Sequence, residues 1–223
     1  MAAAVEVVGG FPLAFETLEF AGRSIEFATV PDLASHLDRE RLLGDSDYVP
    51  PYWALVWSGA MLLAERLASD PRLAGRRVLD VGCGLGVVSV AAAIAGAQVV
   101  ALDRVAAPLE FVSRTSERNG LGITPVAMDL RDLPVGAGFD FVIGAEVLYE
   151  RAEFEALAAS LLGALRPGGT LVVVDARRVN TASFYGAMEK LRARELFSET
   201  WKVREESTLV EIRYAEFVAD GAR

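Results

Sequence analysis

The chain has 223 residues, 52% of them hydrophobic, and carries 22 Lys and Arg against 31 Asp and Glu for a formal charge of −9. That composition supports a folded core and excludes disorder as a default, while the acidic balance argues against free nucleic acid, which needs a basic face. A single cysteine, Cys83, allows no internal disulfide and suits a reducing cytoplasm, and a single histidine, His36, excludes a multi-histidine metal site.

The N-terminal stretch MAAAVEVVGGFPLAF lacks the basic region of a signal peptide. Thr17–Phe20 and Ser24–Thr29 alternate around Ala21-Gly22-Arg23 and predict a hairpin. Leu33–Leu43 and Ser58–Ala68 read as helices, with His36 on a polar surface. Residues 1–70 are therefore taken as a hairpin and helical cap, and residues 71–223 as the main domain.

Between Asp80 and Asp103 the chain carries no charge, over a length that would suffice to cross a bilayer. Its periodicity argues otherwise. Arg76–Val81 is a strand signal, Gly82, Gly84 and Gly86 form a turn that would weaken a helix, and Val87–Ala95 is a small apolar helix stopped by Gly96. Gln98–Asp103 is a second strand, so the segment is a βαβ unit, and no basic anchors flank it. A helix over Ala106–Asn119, strands over Ile123–Met128 and Phe139–Ala145, and a helix over Glu153–Leu165 continue the alternation. A turn at Arg166–Gly169, a strand over Thr170–Asp175, a helix over Ser183–Arg194 and strands over Glu199–Arg204 and Thr208–Phe217 complete it. This is an α/β pattern: a doubly wound, mostly parallel sheet.

In such a sheet, ligands lie beyond the carboxyl ends of the strands, at the point where strand order reverses. The turn there reads Gly82-Cys83-Gly84-Leu85-Gly86-Val87, preceded by Asp80. Val87 stands where the dinucleotide fingerprint G-x-G-x-x-G needs its third glycine, so that fingerprint fails and Val87 speaks against an NAD-dependent reductase, the other enzymatic alternative. Cys83 has no histidine nearby in sequence and reads as packing, not as a nucleophile.

The run D-x-G-x-G-x-G, with Asp103 ending the next strand, resembles motif I of the class I, seven-stranded S-adenosylmethionine-dependent methyltransferases. The resemblance implies a Rossmann-like seven-stranded sheet with S-adenosylmethionine as cofactor. It implies that Asp103 accepts the ribose hydroxyls, with Arg104 beside it, and that Asp129 reads the adenine amino group next to the Leu130 backbone. It places Asp80 near the methionine amino group and gives Gly82, Cys83 and Gly84 backbone contacts.

Two further segments, Pro50–Gly59 around Trp53 and Trp57, and Gly144-Ala145-Glu146-Val147-Leu148-Tyr149-Glu150, resemble the family-16 protein methyltransferase branch. That branch includes the lysine methyltransferase of the electron-transfer flavoprotein β-subunit. There a Trp before motif I contacts the cofactor, which points to Trp57, while Trp53 reads equally well as core. A D-x-x-Y/F motif follows the fourth strand. Here it is Glu146-Val147-Leu148-Tyr149, with one extra methylene in the acid. Glu146 and Tyr149 are the implied catalytic pair, with Ala145 at the cofactor. The alternative role for Glu146 is an N-cap or first-turn acid of the helix over Glu153–Leu165.

The expected acceptor is a lysine side chain of a protein substrate. A small amine on the same scaffold, or a non-catalytic cofactor-binding subunit, are the alternatives. Neither a metal nor a membrane is expected. Arg177-Arg178 after the fifth strand either lines the substrate mouth or is solvated.

Overall fold

The computed structural model describes residues 6–45, 47–149, 154–176, 181–205 and 207–219. Two short strands, β1 (Val7–Val8) and β2 (Phe11–Pro12), form a small antiparallel ribbon. The predicted hairpin follows as β3 (Ala14–Phe20) and β4 (Arg23–Thr29). Its two turn residues, Ala21 and Gly22, have φ of 46° and 75°. Two positive φ values in succession match the right-handed twist of the flanking strands.

The helix expected over Leu33–Leu43 is two pieces. A 3-10 turn spans Leu33–His36, Leu37 is extended, and α1 (Arg39–Gly44) begins afresh. The reason is Asp38, whose Oδ1 accepts the Arg41 N–H at 3.0 Å and so caps a new helix start. His36 is exposed, as read.

Then come α2 (Ser58–Leu67), β5 (Arg77–Val81), α3 (Val87–Ile94), β6 (Gln98–Asp103), α4 (Ala106–Asn119) and β7 (Ile123–Ala127). The chain ends with β8 (Phe139–Ala145), α5 (Phe154–Ala164), β9 (Leu165–Asp175), α6 (Ala182–Lys190), β10 (Ala193–Glu205) and β11 (Thr208–Ala219). The start expected for α5, at Glu153, and the pair Arg177-Arg178 lie outside the described residues.

Three expectations are corrected. Residues Arg166–Gly169 belong to β9, which absorbs them through an irregularity opposite Phe139–Phe141. The last helix stops at Lys190, because Arg192 turns left-handed at φ 58° and Ala193 already pairs in the sheet. The final two strands are longer than their patterns suggested, forming a ladder from Ala193↔Ala219 to Glu205↔Thr208.

The seven-stranded sheet has the order β10-β11-β9-β8-β5-β6-β7. Strands β5 to β9 run parallel, β11 is antiparallel to β9, and β10 is antiparallel to β11. The chain steps from β5 outward through β6 and β7, then returns to the other side of β5 at β8. The reversal places the crevice of the fold at the carboxyl ends of β5, β6 and β8.

Both faces of the sheet are covered, which is why its parallel strands are apolar throughout. Val78, Val172 and Val174 face a core shared with α2 and α3; Leu79, Val81, Leu171 and Val173 face the core beneath α5 and α6. Residues 1–70 divide by packing. The hairpin rests on α4, where the Ala28 N–H donates to Thr115 Oγ1 and the Glu26 N–H to Asn119 Oδ1, both at 3.0 Å. Helix α2 instead supplies Leu63, Ala64 and Leu67 to the core of the main sheet. No helix among the described residues is long and apolar enough to cross a membrane.

Candidate functional site

The turn after β5 is held by the end of β6. Asp103 Oδ2 accepts the Gly84 N–H at 3.1 Å, Oδ1 accepts the Val105 N–H at 3.0 Å, and the Cys83 N–H donates to Leu102 O at 3.0 Å. Asp103 is nearly buried, and burial raises its pKa above the ordinary carboxylate value while these N–H groups and Arg104 oppose the rise. A carboxylate offers about four acceptor sites, so it has capacity beyond these backbone donors.

The turn needs glycine for two separate reasons. Gly82 and Gly84 have φ of 64° and 50°, in the left-handed region. A Cβ on Gly82 would lie 2.7 Å from Val147 Cγ1, and one on Gly84 would lie 2.9 Å from Trp53 O. Cys83 packs against the core, and burial followed by the charges of Asp80 and Asp103 pushes its thiol pKa well up, so it is no nucleophile.

Asp80 alternates with Leu79 and Val81 along β5 and therefore points toward α3. It is 1% exposed, and its Oδ2 accepts the Ser89 hydroxyl at 2.6 Å. Burial pushes its pKa up to about 7, against the Ser89 hydrogen bond, with Asp103 adding to the rise. Unfolded, the group ionises near 3.8. Between these values the folded chain keeps a proton that the unfolded chain has lost. Stability therefore falls as pH rises from about 4 to about 7 and then levels. Asp80→Asn keeps an acceptor for Ser89 and cannot ionise. In thermal melts from pH 4 to 8, the variant is expected to gain on the wild type across that window by about 4 kcal/mol. A pH-independent difference would show that Asp80 is charged in the fold.

At the end of β7, Asp129 caps a 3-10 turn over Leu130–Asp132 and binds Arg131 three ways: through its N–H and Nε, both at 2.9 Å, and through Nη2 at 2.7 Å. Arg131 holds its pKa well below the usual carboxylate range, and Arg104 adds to the effect. Arg104 thus acts on both the β6 and β7 acids. Arg104, Asp129, Leu130, Val147 and Tyr149 line one cavity of about 50 Å³.

The segment after β8 carries Glu146 and Tyr149, both expected to face the sulfonium. Glu146 has φ 59°; its N–H donates to Val174 O at 2.8 Å, and its Oε2 accepts the Ala176 N–H at 3.2 Å. The carboxylate lies against α2, where a Cβ on Gly59 would overlap Oε1. Val147 covers Gly82 and Gly144. Tyr149, 55% exposed, lies on the other side, at the Asp129 cavity. Ala145, half-buried, ends β8 opposite Val174.

The tryptophans also separate. Trp53 packs its ring between Phe11 (5.1 Å) and Phe111 (5.5 Å) while its carbonyl covers Gly84. Trp57 precedes α2, half-buried, with its Nε1–H donated to Tyr52 O at 3.2 Å. Sequence reasoning missed Gly59, Ser89, Arg131 and Val147. Of these only Arg131, two residues after Asp129, left a local signal.

Residues 78–169, from β5 into β9, match the family described as "Methyltransferase domain". That stretch is similar to a methyltransferase domain. The chain is 31% identical over 126 residues, 56% of this chain and 49% of the relative, to the electron transfer flavoprotein beta subunit lysine methyltransferase of Danio rerio. It is 32% identical over 124 residues, 53% of this chain and 50% of the relative, to the ubiquinone biosynthesis O-methyltransferase of Rhizobium etli. The chain spans about half the length of these curated relatives. Among solved structures, magnesium protoporphyrin IX methyltransferase from Synechocystis PCC 6803 with bound SAM superimposes with a TM-score of 0.60 at 22% identity, covering 83% of this chain and 92% of that one. At that identity the likeness speaks for the fold of the methyltransferase domain.

Proposed function

We propose that this chain transfers a methyl group from S-adenosylmethionine to a lysine amine of a protein substrate. The observation that carries the reading is the meeting of Asp103 with the glycine turn at the sheet's reversal point. The donor set there fits the cofactor: a carboxylate with spare lone pairs for ribose hydroxyls, a side-chain-free turn, and Asp129 with the Leu130 backbone at the neighbouring strand end. Val147 sets the width of the crevice. Ligand sites usually offer about 300–1,000 Å³, so Val147 is the side chain that must turn aside.

The cofactor supplies a methyl group on a sulfonium, already activated for in-line displacement. The protein's part is positioning and exclusion of water, worth about 7–11 kcal/mol when the reacting atoms are held in line. A lysine ammonium, with a pKa near 10.4, must also lose a proton. Glu146, at the crevice edge, is the group that orients this ammonium and accepts its proton. Tyr149, on the far side, closes the crevice over the adenine end.

The lysine reading draws on the flavoprotein methyltransferase relative and on the E-x-x-Y segment. The O-methyltransferase relative favours a second reading, a small-molecule acceptor. Labelled methyl donor added to a cell lysate separates them. A labelled protein band that disappears with Glu146→Gln supports the proposal, with an expected fall of about 10²-fold or more in rate and little change in donor binding. Label confined to small molecules supports the second reading. Donor binding with no label transferred to either fraction supports a non-catalytic subunit.

A further inference from the structure

We propose that the chain forms a two-fold dimer in which β10 pairs antiparallel with β10 of a second copy, about an axis through Thr200. Among the described residues, strand β10 is the edge of the main sheet, and no strand pairs with the side facing away from β11. It has 13 residues, about 40 Å of edge. Charged side chains on an edge strand ordinarily keep it from pairing. Here the order of the signs makes the same charges complementary when the strand meets itself.

The faces of β10 fix the register. Its ladder with β11 skips Leu196, so Glu195 lies on the face of Ser198, Thr200, Lys202 and Arg204, and Arg194 on the face of Phe197, Trp201, Val203 and Glu205. In an antiparallel pair, opposed residues share a face. A dyad at Thr200 then opposes Thr200 to itself, Ser198 to Lys202 and Phe197 to Val203. Beyond the skipped Leu196 it opposes Glu195 to Arg204 and Arg194 to Glu205. Four opposite-charge pairs and two apolar pairs result, with Glu199 opposed to Trp201 on either side of the axis. Moving the dyad by one residue, to Glu199, opposes Glu199 to itself and Arg194 to Val203, and leaves only the Glu195–Lys202 pairs of opposite charge.

The residues concerned are at the surface. Arg194, Glu195, Ser198, Thr200, Lys202 and Arg204 are exposed, and Phe197 is 43% exposed. Glu195 already meets Arg213 at 2.6 Å and the Ser198 hydroxyl at 2.6 Å, which fixes its carboxylate at the edge with capacity to spare. Glu205, which accepts the Ser58 hydroxyl at 2.7 Å, is fixed in the same way. Because the axis reverses strand direction, the two crevices open at opposite ends of the joined sheet.

Sedimentation of the full chain over a concentration series tests this together with two charge reversals, Glu195→Arg and Arg204→Glu. The wild type is expected to dimerise. Each variant alone places like charges opposite each other twice and is expected to weaken the dimer about tenfold or more. An equimolar mixture of the two variants restores opposite charges at both positions and is expected to recover the dimer as a heterodimer, a recovery that misfolded chains could not give. A monomeric wild type at about 100 µM, or a dimer indifferent to both reversals, overturns the proposal. Methyl transfer is not involved in this readout, so its outcome is independent of the function proposed above.

Discussion

Asp103→Ala is expected to weaken S-adenosylmethionine binding about a hundredfold or more. The carboxylate has two tasks in this fold. It is the acceptor proposed for the ribose hydroxyls, and it ties the glycine turn to β6 through Gly84 and Val105. A hydrogen bond to a charged group contributes about 1.5–3 kcal/mol, and removing the acceptor also leaves two backbone N–H groups unsatisfied beside the ligand. Asp103→Asn keeps one acceptor oxygen and is expected to lose only about tenfold, since the neutral amide forms weaker bonds. Calorimetric titration with S-adenosylhomocysteine reads both variants. Wild-type affinity in Asp103→Ala would remove Asp103 from the cofactor site.

The second large effect is expected at Gly59. A Cβ there would overlap Glu146 Oε1 and come within 3.0 Å of Val174 Cγ1. Gly59→Ala should therefore displace the Glu146 carboxylate from the Ala176 N–H and disturb its left-handed backbone. Overpacking of this kind costs about 1–3 kcal/mol, but the expected loss in methyl transfer is larger, about 10²-fold, because the acid is moved from where it would accept a proton. Glu146→Asp shortens the side chain by one methylene. The double variant Gly59→Ala/Glu146→Asp is expected to recover stability and part of the activity that Gly59→Ala loses. Additive losses in the double variant would mean that the two residues do not compete for one space.

This pairing shows where the sequence was legible and where it was not. The βαβ unit could be read directly, because glycines interrupt an apolar run at one point and acids close its strands. Helix α4 and strand β8 fell on their expected residues because Asn119-Gly120 and Gly138 punctuate them locally. Tertiary relations left no such trace. Gly59 makes room for Glu146 across the fold, and nothing near either residue signals it. The Glu146 carboxylate rests against α2 while Tyr149 lines the Asp129 cavity, which the spacing E-x-x-Y does not show. Asp38 splits a helix that hydrophobic spacing alone joined. The two tryptophans, four apart, share no common environment, because an extended segment and not a helix connects them.

The account depends on a sulfonium nucleoside binding at the ends of β5, β6 and β7. Calorimetric titration of the folded wild-type chain with S-adenosylmethionine, and with its demethylated product in competition, tests that most directly. The account predicts saturable one-to-one binding of both, with a dissociation constant of about 1–100 µM and mutual displacement. Absence of heat and of displacement at millimolar ligand, with the protein monodisperse and folded, would contradict it.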